Sequence, residues 1–142
     1  MKKNISAILF ILSLLPSNAY AQNNHINIKV DISEQKMYVY QDNIPKYEWI
    51  VSTARKGKIT PRGKFFPKFL SKNHKSSLYN NAPMPYSIFY SGNYAIHGTL
   101  DVEKLGNPAS AGCVRLHPDN AAILFDLVKD TTFKNVEILI QD

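Results

Sequence analysis

The sequence predicts a mostly β domain, arranged as a β-sandwich or mixed sheets, with one main helix near its C-terminal end. Several short runs alternate apolar and polar residues at period 2, and turn-forming residues separate these runs. One segment late in the chain instead has apolar residues at helical spacing. The 142 residues suit one domain, and no internal repeat or low-complexity tract divides them.

The first 21 residues are expected to be a secretory signal peptide that precedes this domain. Two lysines come before a mostly apolar, uncharged run over 5–15, and Ala19-Tyr20-Ala21 is a small-x-small cleavage site. An uncleaved membrane anchor is the alternative, but the apolar run falls well short of the ~20 residues that span a bilayer. We therefore expect an exported protein, periplasmic or associated with the cell wall, whose mature domain covers 22–142 and has no membrane span.

Charge and cysteine content narrow the classes of partner. Removing residues 1–21 takes away two of the 17 basic residues and no acid, so the formal charge becomes 15 − 11 = +4. This excess suits a polyanionic or carboxylate-rich partner, or simply solubility, whereas scattered basic residues and export disfavour nucleic acid. Cys113 is the only cysteine, so it forms no internal disulfide and is either buried and inert or retained for its chemistry.

Three hairpin-connected strands are expected at the start of the domain. Their alternating apolar or aromatic positions are Ile26, Ile28, Val30 and Ile32, then Met37 to Tyr40, then Tyr47, Trp49 and Val51. Asp42-Asn43 is a turn signal between the second and third strands. Pro45 is expected at a strand end or in an edge strand, because proline cannot donate to a neighbouring strand.

The middle of the chain is predicted to contain two loops and three strands, of which the first is a short strand inside the first loop. Residues 53–83 are rich in Gly, Pro, Ser and Asn, so we expect a long loop with only a short strand at 64–66. A loop of this length in a compact domain is often functional. Strands are expected at 86–90 and 94–96, joined by a turn at 91–93 and followed by a second loop at 99–112.

The helix is expected to begin at Pro118 and to have Lys129 in its last turn. Asp119 suits the first turn because a negative charge is favourable near a helix N-terminus. Apolar residues recur at i, i+3, i+4 and i+7, at Ala121, Leu124, Phe125 and Val128. A final strand is expected at 136–140.

The residues that could carry chemistry are concentrated in Ala95 to Thr99 and Ser110 to Leu116. Attack of a thiol on an amide needs a thiolate, a base and donors for the oxyanion. Cys113 is the candidate nucleophile, and His97 is a base that titrates near neutrality. Gly112 permits close approach of a substrate, and the amides around it are candidate oxyanion donors. A cysteine and a histidine considered alone favour a structural interpretation, in which Cys113 fills a core position and His97 ends a strand.

The surrounding motifs favour catalysis. The segments that carry the pattern are Val51-Ser52-Thr53, Thr60 to Phe65, Met84-Pro85-Tyr86, His97-Gly98 and Ser110-Ala111-Gly112-Cys113-Val114-Arg115-Leu116. In this order, over nearly the whole mature chain, they resemble the L,D-transpeptidase catalytic domain (the YkuD-type family). There are two departures from the family pattern. Ala111 stands where many members have a second histidine, and Ala54 replaces the usual glycine after Ser-Thr.

The resemblance implies catalysis without metal or cofactor. Cys113 would attack the carbonyl of the third residue of a peptidoglycan tetrapeptide stem, and His97 would protonate the departing D-alanine. The thioacyl-enzyme would then react with a stem-peptide amine to form a 3→3 crosslink. Water, a free D-amino acid or a protein amine are alternative acceptors, and a catalytically silent wall-binding module is a further alternative. The resemblance also implies that carbapenems acylate Cys113 and that the loop at 67–83 covers the donor site.

Three further residues have both a functional and a structural interpretation. Arg115 would, by resemblance, orient the site or bind a stem-peptide carboxylate, or it forms a structural ion pair. Ser110 either supports His97 or hydrogen-bonds its own turn. Tyr86 either lines a substrate groove or packs in the core.

The other histidines are not expected to act in catalysis. His117 is interpreted as a helix-start residue, with a second base as the alternative. His25 and His74 are assigned no role. A zinc site made by His97, Cys113 and His117 is disfavoured because these residues lack a paired-ligand spacing such as C-x-x-C.

Overall fold

A computed structural model of the protein describes residues 24–142, which form two β-sheets and one α-helix. The mostly β prediction is confirmed, whereas the predicted signal peptide lies outside the described residues. The strands are β1 (Ile26–Asp31), β2 (Lys36–Gln41), β3 (Ile44–Ile50), β4 (Gly63–Phe65), β5 (Phe69–Lys75), β6 (Pro83–Ser91), β7 (Tyr94–Gly98), β8 (Val114–Leu116) and β9 (Val136–Gln141). The helix α1 covers Pro118–Lys129, and short 3-10 turns cover Val102–Lys104 and Phe133–Asn135. Within residues 24–142, no helix has the length and apolar character needed to cross a bilayer.

The first sheet has the strand order β3-β2-β1-β9-β4, in which β1 and β9 are parallel and the other pairs are antiparallel. Alternate residues of β1 are buried, as the period-2 pattern predicts. They pair with buried residues of β9, at Ile26–Val136, Ile28–Ile138 and Val30–Ile140. Pro45 lies in the edge strand β3, beside a register irregularity, as expected for a residue without an amide N–H.

The second sheet has the order β5-β6-β7-β8, with β7 and β8 parallel. Helix α1 packs on β6 and β7 through its predicted apolar stripe, whose four members are all buried in the main core. The Nδ1 of His117 accepts the amide N–H of Asp119 at 3.2 Å, so His117 is the N-cap and the helix-start prediction is confirmed. Gly98 permits this packing, because a Cβ there would lie 3.2 Å from the Cα of Pro118.

The predicted loop over 53–83 is wrong for residues 69–75, which form the edge strand β5. Polar side chains occupy most of β5, so the sequence lacks the apolar alternation that indicates a strand. The strand forms because its backbone pairs with β6 in one antiparallel register, from Phe69–Phe89 to Lys75–Pro83. The predicted covering loop is therefore reduced to the turn at 76–82. The short strand β8 was also absent from the sequence-based prediction.

Candidate active site

The pairing of β7 with β8 places the predicted reactive residues on one face of the second sheet. His97 lies directly opposite Arg115 in the parallel register, so their side chains share a face. Cys113 is two residues before Arg115 and packs against Ala95, which is two residues before His97. The alternate residues point into the main core, and they include Ile96, Val114 and Leu116. Strand alternation therefore separates the reactive side chains from the core side chains.

This reactive face lines a cleft of about 530 Å³. Cys113, His97 and Arg115 are all among its lining residues. The turn at 76–82 forms one wall, to which it contributes the exposed side chains of Leu78 and Tyr79. The start of the predicted loop at 99–112 forms another wall. The sequence motifs thus converge on a concave site rather than on a packed interior.

The loop that precedes β8 holds Cys113 through hydrogen bonds to Ser110. The Oγ of Ser110 donates to the carbonyl oxygen of Cys113 at 2.6 Å and accepts the amide N–H of Gly112 at 3.0 Å. This geometry favours the interpretation of Ser110 as a residue that hydrogen-bonds its own turn. Because the amide of Gly112 is already engaged, it is not available as an oxyanion donor in this arrangement.

Only glycine fits at position 112. Its φ of +136° is one that residues with a side chain rarely adopt. A Cβ at this position would also lie 2.5 Å from Cε1 of Tyr94 and 2.7 Å from the carbonyl oxygen of Ile59. The glycine before the cysteine is therefore required by both conformation and space.

The thiol of Cys113 is half-buried and protonated at rest. Its Sγ donates to the carbonyl oxygen of Asn93 at 3.8 Å. Burial raises the pKa of the Cys113 thiol, against smaller lowering effects from a backbone hydrogen bond with Ala95 and the charge of Arg115. A thiol of raised pKa needs a base to become nucleophilic at neutral pH.

The imidazole of His97 can be that base. Its Nδ1 lies 2.7 Å from the carbonyl oxygen of Gly98, and since a carbonyl only accepts, we assign the ring proton to Nδ1 and leave Nε2 as an acceptor. His97 is only 4% exposed. Burial lowers the pKa of His97 to about 4, opposed by the hydrogen bond to Gly98 and reinforced by the charges of Arg115 and His74. The resting pair is therefore a neutral thiol and a neutral imidazole.

The charged groups of the cleft lining are the guanidinium groups of Arg55 and Arg115 and the carboxylate of Asp101. Nη1 of Arg115 lies 3.8 Å from Oδ2 of Asp101, whose carboxylate also contacts Lys104 at 3.4 Å. Arg55 is exposed and forms no ion pair with any residue in 24–142. The cleft therefore carries an excess of positive charge that suits a carboxylate-bearing ligand.

Other predicted residues lie apart from the cleft. Tyr86 is not among its lining residues and packs edge-on against Phe125 of α1, with ring centroids 5.7 Å apart, which favours the core interpretation. His117 is engaged as the helix cap, so it is not grouped with Cys113 and His97 as a second base or zinc ligand. His25 lies just before β1, and its backbone amide N–H donates to Oδ1 of Asp42.

Sequence reasoning missed several residues at or near the cleft. Arg55, Asn93 and Asp101 line it, although none belongs to a recognisable motif. His74 was assigned no role, yet it lies in β5, stacks edge-on against Phe89 at 4.9 Å and affects the pKa of His97. The long separation of these residues along the chain left no local signal that would have grouped them.

Comparisons with known proteins point to one family. The family model of the L,D-transpeptidase catalytic domain, YkuD, matches residues 26–138. "Putative L,D-transpeptidase YciB" of Bacillus subtilis is 26% identical over 133 residues, which cover 78% of this chain and 65% of that protein.

Solved structures give the same fold. LD transpeptidase LdtMt1 in complex with imipenem has a TM-score of 0.74 at 20% identity, over 83% of this chain and 59% of the other. L,D-transpeptidase 3 from Mycobacterium tuberculosis with a faropenem-derived adduct has a TM-score of 0.73 at 14% identity, over 84% of this chain and 61% of the other. The present chain therefore spans about two thirds of the curated relative, and less of the two solved chains.

Proposed function

Since the chain belongs to the L,D-transpeptidase catalytic domain family, we propose that it is an exported peptidoglycan L,D-transpeptidase acting through a thioacyl-enzyme on Cys113. The observation that carries this proposal is the shared face of β7 and β8. That face presents a thiol, a buried neutral imidazole and a guanidinium group to one cleft. The thiol and the imidazole are the nucleophile and base that thiol-based acyl transfer requires, and the guanidinium suits a carboxylate-bearing substrate.

Acylation begins from neutral partners. Nε2 of His97 takes the thiol proton as Sγ of Cys113 bonds to the carbonyl carbon of the third stem residue. The C–N bond to the terminal D-alanine then breaks, and the imidazolium returns the proton to the leaving amine. The charge of Arg115 favours the thiolate and disfavours the imidazolium, so proton transfer and attack are expected to be closely coupled.

The oxyanion needs donors other than Gly112, whose amide is bound to Ser110. We assign this role to the amide of Cys113 itself, because it belongs to the residue that carries the attacking sulfur. Preorganised amides of this kind typically contribute about 3 kcal/mol each to the stabilisation of the transition state. Ser110 contributes indirectly, since its hydrogen bonds to the amide of Gly112 and the carbonyl of Cys113 restrain the backbone on both sides of the Gly112–Cys113 peptide unit.

Substrate recognition is assigned to the charged and apolar walls of the cleft. Arg115 and Arg55 are placed to bind carboxylates of the stem peptide, and a planar guanidinium can hold a carboxylate through two hydrogen bonds. Leu78 and Tyr79, 64% and 48% exposed, offer apolar surface on the turn at 76–82. We propose that this turn covers the donor after binding.

The acceptor decides the biological outcome. A stem-peptide amine gives a 3→3 crosslink, which is the acceptor proposed here. A protein amine would give anchoring to the wall, a free D-amino acid would give exchange, and water would give a shortened stem. The thioacyl-enzyme is common to all four reactions, so the acceptor has to be identified from the product.

Purified tetrapeptide muropeptides provide the direct test. Incubation with the purified protein should release D-alanine and give a muropeptide dimer, identified by mass spectrometry. The Cys113→Ala protein is the control and should give neither product. A tripeptide product without dimer would show that the reaction is hydrolysis and not crosslinking. If no muropeptide released D-alanine, the proposed activity would be contradicted.

A carbapenem tests the thioacyl step without peptidoglycan. The strained β-lactam carbonyl is expected to acylate Cys113, as the relatives solved with imipenem and a faropenem-derived adduct suggest by analogy. Intact-protein mass spectrometry should show one drug adduct, and peptide mapping should place it on Cys113. A reduced protein that forms no adduct would count against the mechanism.

A further inference from the structure

Gln35 is a buried polar residue in the turn between β1 and β2, distant in sequence from the reactive motifs. It is 4% exposed and has a φ of +51°, which is uncommon for a residue with a side chain. Its Nε2 donates to the carbonyl oxygen of Ile32 at 2.7 Å and to Oγ1 of Thr53 at 2.6 Å. Its Oε1 accepts the amide N–H of Thr53 at 2.9 Å. Both N–H groups and the oxygen of the side-chain amide are thus engaged.

Thr53 passes this restraint to the loop that contains Ser110. The carbonyl oxygen of Thr53 accepts the amide N–H groups of Ala109 and Ser110, each at 2.9 Å. Thr53 is fully buried, so its backbone has little freedom to move independently of these partners. The side chain of Gln35 holds Thr53 from one side, and the loop is bound to the other side.

Ser110 completes the connection to the thiol-bearing residue. Its Oγ donates to the carbonyl oxygen of Cys113 and accepts the amide of Gly112. A continuous series of hydrogen bonds therefore runs from Gln35 through Thr53 and Ser110 to Cys113. Gln35 itself is not among the residues that line the cleft.

We propose that Gln35 is a positioning residue that fixes Cys113 relative to His97. The inference rests on the proposed function for the role of Cys113 as nucleophile. Gln35 belongs to a turn of the first sheet, whereas Cys113 precedes a strand of the second, so the amide ties the reactive loop to a separate part of the fold. Without it, the buried Thr53 would lose a donor and an acceptor, and the loop would gain freedom. A displacement of only about 1 Å at a reactive centre can cost 10²-fold in rate.

Gln35→Met and Gln41→Met form a matched pair of variants for the test. Methionine has nearly the same length as glutamine but no amide. Gln41 lies at the other end of β2, and its Nε2 donates to Oδ1 of Asn24 at 2.8 Å, with no link to the series described above. Carbapenem acylation by Gln35→Met should fall by ~10-fold to 100-fold, whereas Gln41→Met should stay within about twofold of the unmodified protein.

Alkylation of Cys113 by iodoacetamide across pH distinguishes positioning from mere stabilisation. In Gln35→Met, the base-assisted rate near neutral pH should fall, while the rate at high pH, where hydroxide forms the thiolate, should persist. A residue that only stabilises the fold would lower the melting temperature and leave the pH profile of the folded protein unchanged. Equal acylation rates and equal pH profiles in the two methionine variants would overturn the proposal.

Two further outcomes are also decisive. If Gln35→Met does not fold, Thr53→Val removes only the hydroxyl that accepts from Gln35 and should still lower acylation by ~3-fold to 10-fold, because Thr53 is then held by one hydrogen bond fewer. An unchanged rate in Thr53→Val would then overturn the proposal.

Alkylation needs no muropeptide, so this inference and the proposed function can fail separately. A protein that is inactive on peptidoglycan but still shows the Gln35 effect would refute the proposed transpeptidation and leave this inference standing.

Discussion

Alternate residues of β7 and β8 have two different surroundings. On one face, Ile96, Val114 and Leu116 are at most 1% exposed and belong to the main hydrophobic core. On the other face, His97 and Cys113 border the cleft. The role of the core face depends on the volume and apolar character of its side chains, because these residues act by packing. The role of the cleft face depends on particular atoms, the sulfur and the ring nitrogens, and on their proton affinity.

His97 is unusual because it is nearly as deeply buried as the core residues yet retains a titratable group. Its hydrogen bond to Gly98 satisfies one ring nitrogen, and burial keeps the ring neutral by lowering its pKa. His97 therefore shows that depth of burial alone does not decide whether a side chain on these strands acts in packing or in chemistry. Substitutions on the cleft face should therefore change rates, and those on the core face should change stability.

Cys113→Ala should have the largest effect on activity. Removal of the only sulfur nucleophile is expected to abolish both muropeptide turnover and the carbapenem adduct. The fold should persist, because Cys113 is only half-buried and its removal leaves Met84, Phe89 and Ala95 in contact with one another. Intact-protein mass spectrometry measures the adduct, and circular dichroism measures the melting temperature. Normal product formation by this variant would refute the mechanism.

His97→Gln should cause the next largest loss. Glutamine can hydrogen-bond but cannot accept and return a proton, so carbapenem acylation should slow by about 10²-fold to 10⁴-fold. Stopped-flow measurements across pH should also show that the unmodified protein keeps its rate between pH 8 and pH 5, because its imidazole stays neutral down to a pKa of about 4.

His117→Gln is the matched control for that experiment. His117 lies at the N-cap of α1 and outside the cleft lining, so its replacement should leave acylation near the unmodified rate. A larger loss for His117→Gln than for His97→Gln would contradict the assignment of His97 and transfer the role of base to His117.

Leu116→Ala tests the core face of the same strands. Leu116 is fully buried, so its truncation should lower the free energy of unfolding by about 2–5 kcal/mol. The acylation rate of the molecules that remain folded should be unchanged. Urea denaturation gives the stability, and acylation measured well below the unfolding transition gives the rate. A loss of rate without a loss of stability would show that the two faces are not independent.

The sequence predicted the elements in which burial follows the period of the backbone. Ile26, Ile28 and Val30 revealed β1, and the spacing from Ala121 to Val128 revealed α1, because one face of each packs in the core. The edge strand β5 was missed because its backbone pairing with β6 requires no apolar pattern.

The site was predictable only where its residues form a local motif. Cys113 and His97 stand in short recognisable segments, and the structure places both at the cleft. Gln35 gave no signal, since its importance depends on contact with Thr53, and the contact of Thr53 with Ser110 joins still more distant segments. The engagement of the Gly112 amide by Ser110 depends on loop geometry, which residue types alone do not determine.

The smallest expected effect is a pH dependence of stability that arises from His97. In the unfolded chain its pKa should be about 6.5, whereas burial lowers the folded value to about 4. Below pH 6.5 the unfolded state therefore binds more protons, so the free energy of unfolding falls as pH drops from 6.5 towards 4. Between pH 7 and pH 5 this single group should remove about 2 kcal/mol of stability.

Urea denaturation of the unmodified protein and of His97→Gln at both pH values isolates this contribution of His97. Every other titrating group is common to the two proteins, so their shared pH effects cancel in the difference. The unmodified protein should lose about 2 kcal/mol more than His97→Gln on going from pH 7 to pH 5. Equal losses would mean that the folded imidazole titrates near its ordinary pKa. In that case a charged His97 would face Cys113 at mildly acidic pH, and the neutral resting pair would have to be abandoned.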